Sequence, residues 1–316
     1  MRNVRPLVFF AVTCAFIGCG ALVDESGIVG SLADANVADA MPPFDSSAGD
    51  TTPSFDADDD ARSDTLGFDV VDSLDTRPFD GGGDAPPDTK CSGDRGLPVM
   101  VRLVESDGGA FCIDRTEVTS GQYAAFVTAG IDPRSQPAYC AWNDSFAPKV
   151  SLGPGTEDYP VLGVDWCDAY AYCKWANKRL CGKLGGGVVS GLDVQKYELS
   201  QWVHACEGPS ATRYPYGSTY DRTKCNGDVP GGGGAIEPTT KLRCEGGYPG
   251  VYDLVGNVWE WVDSCDSYTA DAGNLCFFMG GAYNGTEDQM RCDFASARGE
   301  RRYTADNTGF RCCADD

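Results

Sequence analysis

The sequence predicts one disulfide-stapled domain, with a few short helices and strands among long loops, carried behind an export signal and an acidic spacer. Three observations lead there. Fourteen of the 16 cysteines fall between Cys91 and Cys313. Composition changes near residue 90, where Trp, Tyr, Phe and Cys become frequent. Beyond the helices, Gly and Pro interrupt the chain so often that regular structure should be sparse.

Residues 1–18 have the three parts of an export signal: Arg2 and Arg5, an apolar run from Leu7 to Ile17, and a small residue before Cys19. The run is too short to cross a bilayer, which needs roughly 20 apolar residues. Phe16-Ile17-Gly18-Cys19 approximates a lipobox, so Cys19 is the expected lipidation site and the membrane the expected anchor. Simple secretion is the other reading. Gly20 offers no retention signal after the lipid cysteine, so an outer-membrane or cell-surface location is expected.

Residues 19–90 are rich in Asp, Ser, Gly, Pro and Ala, too apolar-poor to offset the entropy of ordering. They read as a disordered tether. Positions 20–90 hold 17 acidic and 3 basic side chains, and Phe-Asp pairs recur at Phe44, Phe55, Phe68 and Phe79. A flexible chain of that length spans about 50 Å. Residues 91–316 are also net acidic, and no basic patch appears in either part, so nucleic-acid binding is not expected.

An even number of cysteines at this density in an exported chain reads as a disulfide framework. There is no Cys-x-x-Cys, and His204 is the single histidine, which weighs against zinc sites and His-dependent nucleophiles. His204 reads as an ordinary helix residue. Gly231-Gly232-Gly233-Gly234 lacks a following Lys-Ser/Thr and reads as a loop, not a phosphate cradle.

Within the domain, Phe111-Cys112-Ile113-Asp114 reads as a strand, and Thr119 with Gln122 forms a capping box ahead of a helix carrying Tyr123, Phe126 and Val127. A second helix should start near Asp165, with Ala169, Tyr172, Cys173 and Ala176 on one buried face. A third is expected around Val194 to Ala205, with Tyr197, Trp202 and Ala205 inward.

Several segments recur in one order. They are Phe111 to Thr119 with its Glu117-Val118-Thr119, Pro160-Val161 with Val164-Asp165-Trp166, and Tyr172-Cys173 with Trp175-Ala176 and Lys178-Arg179-Leu180. Gly256-Asn257-Val258-Trp259-Glu260-Trp261, Gly280-Gly281-Ala282-Tyr283 and Gly309-Phe310-Arg311-Cys312 follow. Over about residues 95–316 this order resembles the sulfatase-modifying-factor family, the formylglycine-generating enzymes. The resemblance implies an α+β, C-type-lectin-like fold of the formylglycine-generating-enzyme type, low in regular secondary structure. It implies pairing of Cys173 with Cys312, and of Cys206 with a cysteine near Ala295, for which Cys292 is nearest. Cys312 and Cys313 face opposite ways on a strand and need different partners. Cys265 and Cys276 could close a local loop.

The resemblance also implies a calcium site built from Asp253, Gly256, Val258 and Glu260, two carboxylates and two main-chain carbonyls, as suits a hard cation. The competing reading pairs Glu260 with Arg298 or Arg311. Only Asn226 and Gly227 resemble the start of the family's second calcium site. The chemistry departs from the family. Its two copper-binding cysteines fall on Gly285 and Met290, and its serine on Ala282. Copper(I) needs soft thiolates, so copper is not expected. Cys292 is a nearby thiol two residues on.

The function expected is therefore a lipid-anchored binding or structural module for a protein or glycan ligand, with Trp142, Trp259, Trp261 and Tyr283 as a recognition surface. Trp142-Asn143-Asp144 and Glu237-Pro238-Thr239 are similar to lectin sugar-binding motifs, though in reversed order. The alternative is a formylglycine-generating-type oxidase acting through Cys292 on a cysteine of a sulfatase or other protein.

Overall fold

A computed structural model describes residues 91, 97–105, 108–227 and 234–316. The export signal, Cys19, the tether and most of the Gly231 run lie outside them. No helix among the described residues is long and apolar enough to cross a membrane.

The elements run in the order β1 (Met100–Val104), β2 (Ala110–Asp114), α1 (Ser120–Thr128), α2 (Trp166–Trp175), β3 (Arg179–Leu180) and α3 (Gln201–Glu207). Seven strands follow: β4 (Glu245–Gly246), β5 (Tyr248–Tyr252), β6 (Trp259–Cys265), β7 (Leu275–Met279), β8 (Arg298–Glu300), β9 (Thr308–Phe310) and β10 (Cys312–Asp315). They form a four-stranded sheet β1-β2-β10-β3, a β4-β5 pair, and a second four-stranded sheet β8-β7-β6-β9. Among the described residues only the β6–β9 pairing is parallel, with Glu260 opposite Gly309; the other ladders there are antiparallel. The result is an α+β domain with little helix, most of its length in loops.

Thr119 starts α1 with both arms of its box: its hydroxyl accepts from the Gln122 N–H at 3.2 Å, and its own N–H donates to Gln122 Oε1 at 2.9 Å. That satisfies two of the donors a helix start leaves open. Helix α2 uses two acids instead. The Asp168 N–H donates to Asp165 Oδ1, the Asp165 N–H donates to Asp168 Oδ2, and Asn143 Nδ2 donates to Asp168 Oδ1 at 2.8 Å.

The third helix is shorter than expected, beginning at Gln201 rather than near Val194. Ser200 caps it, accepting from the Val203 N–H. Upstream, Asp193 ties Ser190 and Lys196 into consecutive turns, so local side-chain bonds compete with helix. Trp202 and Ala205 do point inward, while Tyr197 is half-buried and stacks on His204. His204 lies between Tyr197 and Tyr248, its Nε2 2.8 Å from the Tyr248 hydroxyl.

The two clusters of apolar side chains divide the work. Trp202, Tyr214, Leu254, Met279 and Met290 fill one, and Phe126, Trp166, Tyr172, Trp261, Phe278 and Phe310 fill the other. Arg301 penetrates the second cluster with its guanidinium 5.3–5.6 Å from the rings of Tyr139, Trp166 and Tyr268, donating to the carbonyls of Tyr139, Ser267 and Thr269. Cation–π attraction and three carbonyls substitute here for a carboxylate partner.

All fourteen described cysteines are paired: Cys91–Cys112, Cys140–Cys167, Cys173–Cys312, Cys181–Cys313, Cys206–Cys292, Cys225–Cys244 and Cys265–Cys276. Adjacent Cys312 and Cys313 go to opposite faces of β10, one reaching α2 and the other the residue after β3.

The acids at the start of α2 make stability pH-dependent. Burial pushes Asp165 up to about 6, and burial with the Asp165 charge raises Asp168 well above the usual carboxylate range. A folded-state pKa above the unfolded value near 3.9 means protonation favours the fold. The contribution is complete below about pH 4 and fades as pH rises through 6. Asp168→Asn should therefore flatten the fall in Tm between pH 5 and pH 7.5, measured by thermal melts; an unchanged slope would rule out this pair as the cause.

Candidate functional site

The turn between β5 and β6 carries the Gly-Asn-x-Trp-Glu-Trp segment. Asp253 and Asn257 both have left-handed backbones, φ 56° and 58°, and Gly256 lies between them at 81°. Such angles in non-glycine residues persist only where surroundings over-determine them. Here the surroundings are a hydrogen-bond web. Asn257 Nδ2 donates to Glu117 Oε1 at 3.0 Å and to the Glu237 carbonyl, and Asn257 Oδ1 accepts from Asn226 Nδ2 and the Glu237 N–H.

Strand β6 then enters the centre of its sheet, and all seven residues are buried. Glu260 is fully buried beside Arg311. Arg311 Nε reaches Glu260 Oε1 at 2.9 Å and Oε2 at 2.8 Å, Nη2 donates to Oε1 at 2.7 Å, and Trp202 Nε1 donates to Oε2 at 2.8 Å. Three N–H donors thus make four contacts, and both carboxylate oxygens are engaged. Of the two arginine partners considered for Glu260, the structure selects Arg311; Arg298 faces Asp266 instead.

Arg311 also donates to the carbonyls of Asp114 and Tyr252, so one side chain joins β2, β5 and β6. Two further carboxylates face it. Burial raises Glu117 well above its ordinary value, with Asp253 and Glu260 adding repulsion and Arg311 opposing. Burial pushes Asp253 up to about 7, against the pull of Arg311.

Fitting calcium to the four residues named for it gives a divided answer. Asp253, Gly256 and Val258 offer a carboxylate and two carbonyls on one tight turn, a suitable oxygen set. Glu260 already has both oxygens accepting from Arg311 or Trp202.

The oxidase positions lie just after β7. Gly280 and Gly281 have positive φ, and a Cβ at Gly280 would collide with the Leu254 carbonyl, which explains the first glycine. Ala282 is fully buried, and the Gly285 N–H donates to its carbonyl at 2.7 Å. Met290 is 1% exposed and packs over three glycines: a Cβ at Gly227 would sit 2.6 Å from its Sδ, one at Gly256 2.8 Å from its Cε, and one at Gly281 3.1 Å from its Sδ. At the second position expected for a thiol, this chain has a thioether wedged into the core. Cys292, the thiol nearest these positions by sequence, is bonded to Cys206 and is no free thiol.

The expected aromatic surface is corrected. Trp261 is fully buried and donates Nε1 to the Val164 carbonyl at 3.1 Å, and Trp259 is 7% exposed against Phe278 and Phe294. Strand β6 is covered on both faces, so neither ring is available to a partner. Trp142 and Tyr283 are half-buried. Asn143 is engaged with Asp168, and Glu237 with Lys241 and Arg243.

Sequence reasoning assigned no role to Glu117. Its signal was an acid inside the run Ile113 to Val118, which is otherwise largely buried.

Fold and site together define a disulfide-rich α+β domain in which every described cysteine is paired. Residues 103–316 match the family described as sulfatase-modifying factor enzyme 1-like domain, and the chain belongs to that family. Among curated relatives, the inactive C-alpha-formylglycine-generating enzyme 2 of Bos taurus is 30% identical over 181 residues, covering 51% of this chain and 54% of that protein. The formylglycine-generating enzyme of Thermomonospora curvata is 27% identical over 268 residues, covering 65% and 82%. A serine/threonine-protein kinase Pkn1 of Chlamydia trachomatis is 28% identical over 184 residues, 53% of this chain and 26% of that one. The chain thus spans about half or less of the length of the first curated relatives. Among solved structures, PvdO from Pseudomonas aeruginosa aligns with a TM-score of 0.43 at 20% identity, covering 69% of this chain and 95% of that one.

Proposed function

We propose that this protein is an exported, lipid-anchored member of its family whose domain serves as a binding or structural module and forms no formylglycine. One observation carries the reading: every described cysteine is in a disulfide, and the positions expected for the copper-binding pair are Gly285 and Met290. The thiolate is the nucleophile and the soft metal ligand, so neither copper binding nor cysteine oxidation has a sulfur to work through. The relative named inactive supports the same direction. Cys19 carries the lipid in this reading, the acidic segment separates domain from membrane, and the ligand is a protein or a glycan. Calcium, held by Asp253 and the carbonyls of Gly256 and Val258, stabilises the turn.

Titration of the native protein with a thiol reagent should find no reactive sulfur in the domain, and incubation with a cysteine-containing sulfatase peptide, copper and oxygen should give no aldehyde. Aldehyde formation at turnover would overturn the reading. Palmitate labelling lost in Cys19→Ser tests the anchor.

A further inference from the structure

Two short stretches of the domain share one arrangement of residues. Arg222-Thr223-Lys224-Cys225 and Lys241-Leu242-Arg243-Cys244 each place two cations, one residue apart, directly before a cysteine, and the Cys225–Cys244 bridge fastens the two stretches together. Both cysteines are buried and all four cations are exposed. Like charges repel, so gathering four of them costs free energy unless anions offset it. Two carboxylates line the same surface. Glu237 is shared by Lys241 and Arg243, and Asp221, which faces Lys224, already accepts from the N–H and hydroxyl of Thr223. Asp253 attracts Arg243 from outside the hollows described next. Arg222 has no ion-pair or hydrogen-bond partner among the described residues.

The cations rim two adjoining hollows. One, of about 560 Å3, is lined by Arg222, Lys241 and Arg243 together with Tyr159, Asn226 and Pro238. The other, of about 620 Å3, is lined by Lys224, Tyr216 and Tyr220, and the two meet at Arg222 and Thr223. Each has the size of a small-molecule site. No helix or strand among the described residues lies between Glu207 and Glu245. A peptide therefore finds neither a sheet edge to extend nor a helix-lined groove to fill here. Oxyanions on sugar rings suit the surface better. The guanidinium forks match the paired oxygens of sulfate or carboxylate groups, and the half-buried tyrosines offer amphipathic ring faces to the sugar.

We infer that this surface binds an anionic glycan, a saccharide bearing sulfate or carboxylate groups, with Arg222 as its principal contact. This rests on the reading of the domain as a binding module and names which ligand class it takes. An incoming oxyanion supplies the partner that Arg222 lacks and offsets the repulsion among the four cations, although the domain as a whole is net acidic.

The test titrates the purified full-length chain by calorimetry with a sulfated oligosaccharide, a uronate oligosaccharide, a neutral maltooligosaccharide and a poly-glutamate peptide of matched length. At least one charged sugar should bind, more weakly as NaCl rises, and the neutral sugar should not. Arg222→Ala should bind about tenfold more weakly, the loss expected for a charged hydrogen bond, with its Tm unchanged because the side chain has no partner to lose. Arg222→Lys, which keeps the charge without the fork, should fall between Arg222→Ala and wild type. Arg134→Ala removes an exposed cation elsewhere and should bind as wild type. Equal weakening by Arg134→Ala, or wild-type affinity in both Arg222 variants, would overturn the site. Tighter binding of poly-glutamate than of either charged sugar would make the partner an acidic protein and overturn the glycan. No binding of any of these anions by wild type would overturn this inference alone, since the thiol titration and the aldehyde assay decide the binding-module reading separately.

Discussion

Arg311→Met should be the most damaging single substitution in the domain, costing about 3–5 kcal/mol of unfolding free energy, the range for removing one partner of a buried ion pair. The guanidinium is fully buried, and its loss leaves Glu260 with one donor, Trp202 Nε1, in place of four contacts. It also strips donors from the carbonyls of Asp114 and Tyr252 and removes the only cation bonded to this three-carboxylate group. A small domain has roughly 5–15 kcal/mol in total, so the variant should be partly unfolded or poorly expressed. Urea denaturation monitored by tryptophan fluorescence provides the number. A loss below about 1 kcal/mol would show that the carboxylates find another arrangement.

The second large effect concerns two disulfides that share their ends. Cys173–Cys312 and Cys181–Cys313 span 139 and 132 residues, but Cys181 follows Cys173 by only eight positions and Cys313 follows Cys312 directly. With one bridge present, the other closes an effective loop of about nine residues, worth roughly 2.5 kcal/mol in the chain-entropy account. With both gone the long loop opens as well, and the cost rises to about 7 kcal/mol. Replacing either pair with alanines should thus be tolerated, while replacing both should prevent stable folding at 37 °C. The interaction energy from the cycle of single and double removals is the discriminating measurement. Simple additivity would show that closure of the unfolded chain is not what these bridges contribute.

The sequence carried much of the fold because its local signals agreed with one another. The Thr119 and Asp165 caps were legible as residue types at the right spacing, and they position α1 and α2. The third helix was misplaced because apolar spacing from Val194 onward suits a helix, whereas Asp193 and Ser200 divert the backbone into turns and a late cap. Side-chain hydrogen bonding of this short range decides where a helix begins, and periodicity does not see it. Trp259 and Trp261 failed differently. Aromatic side chains suggest a contact surface only where a strand face is open, and β6 has no open face. Of the candidate site, the glycine turn and the missing thiols were readable directly. Glu117 was not, because its burial and the charges around it depend on residues 253, 260 and 311, far along the chain.

Strand β10 lies inside its sheet, between β2 and β3, although its residues are made about 130 positions after β3. During synthesis, β2 and β3 must wait with unpaired edges, and Cys173 and Cys181 must wait with open thiols, until that late segment emerges. Premature bonding between those two waiting sulfurs would trap a dead end, so maturation of this protein should be sensitive to the supply of a thiol–disulfide isomerase.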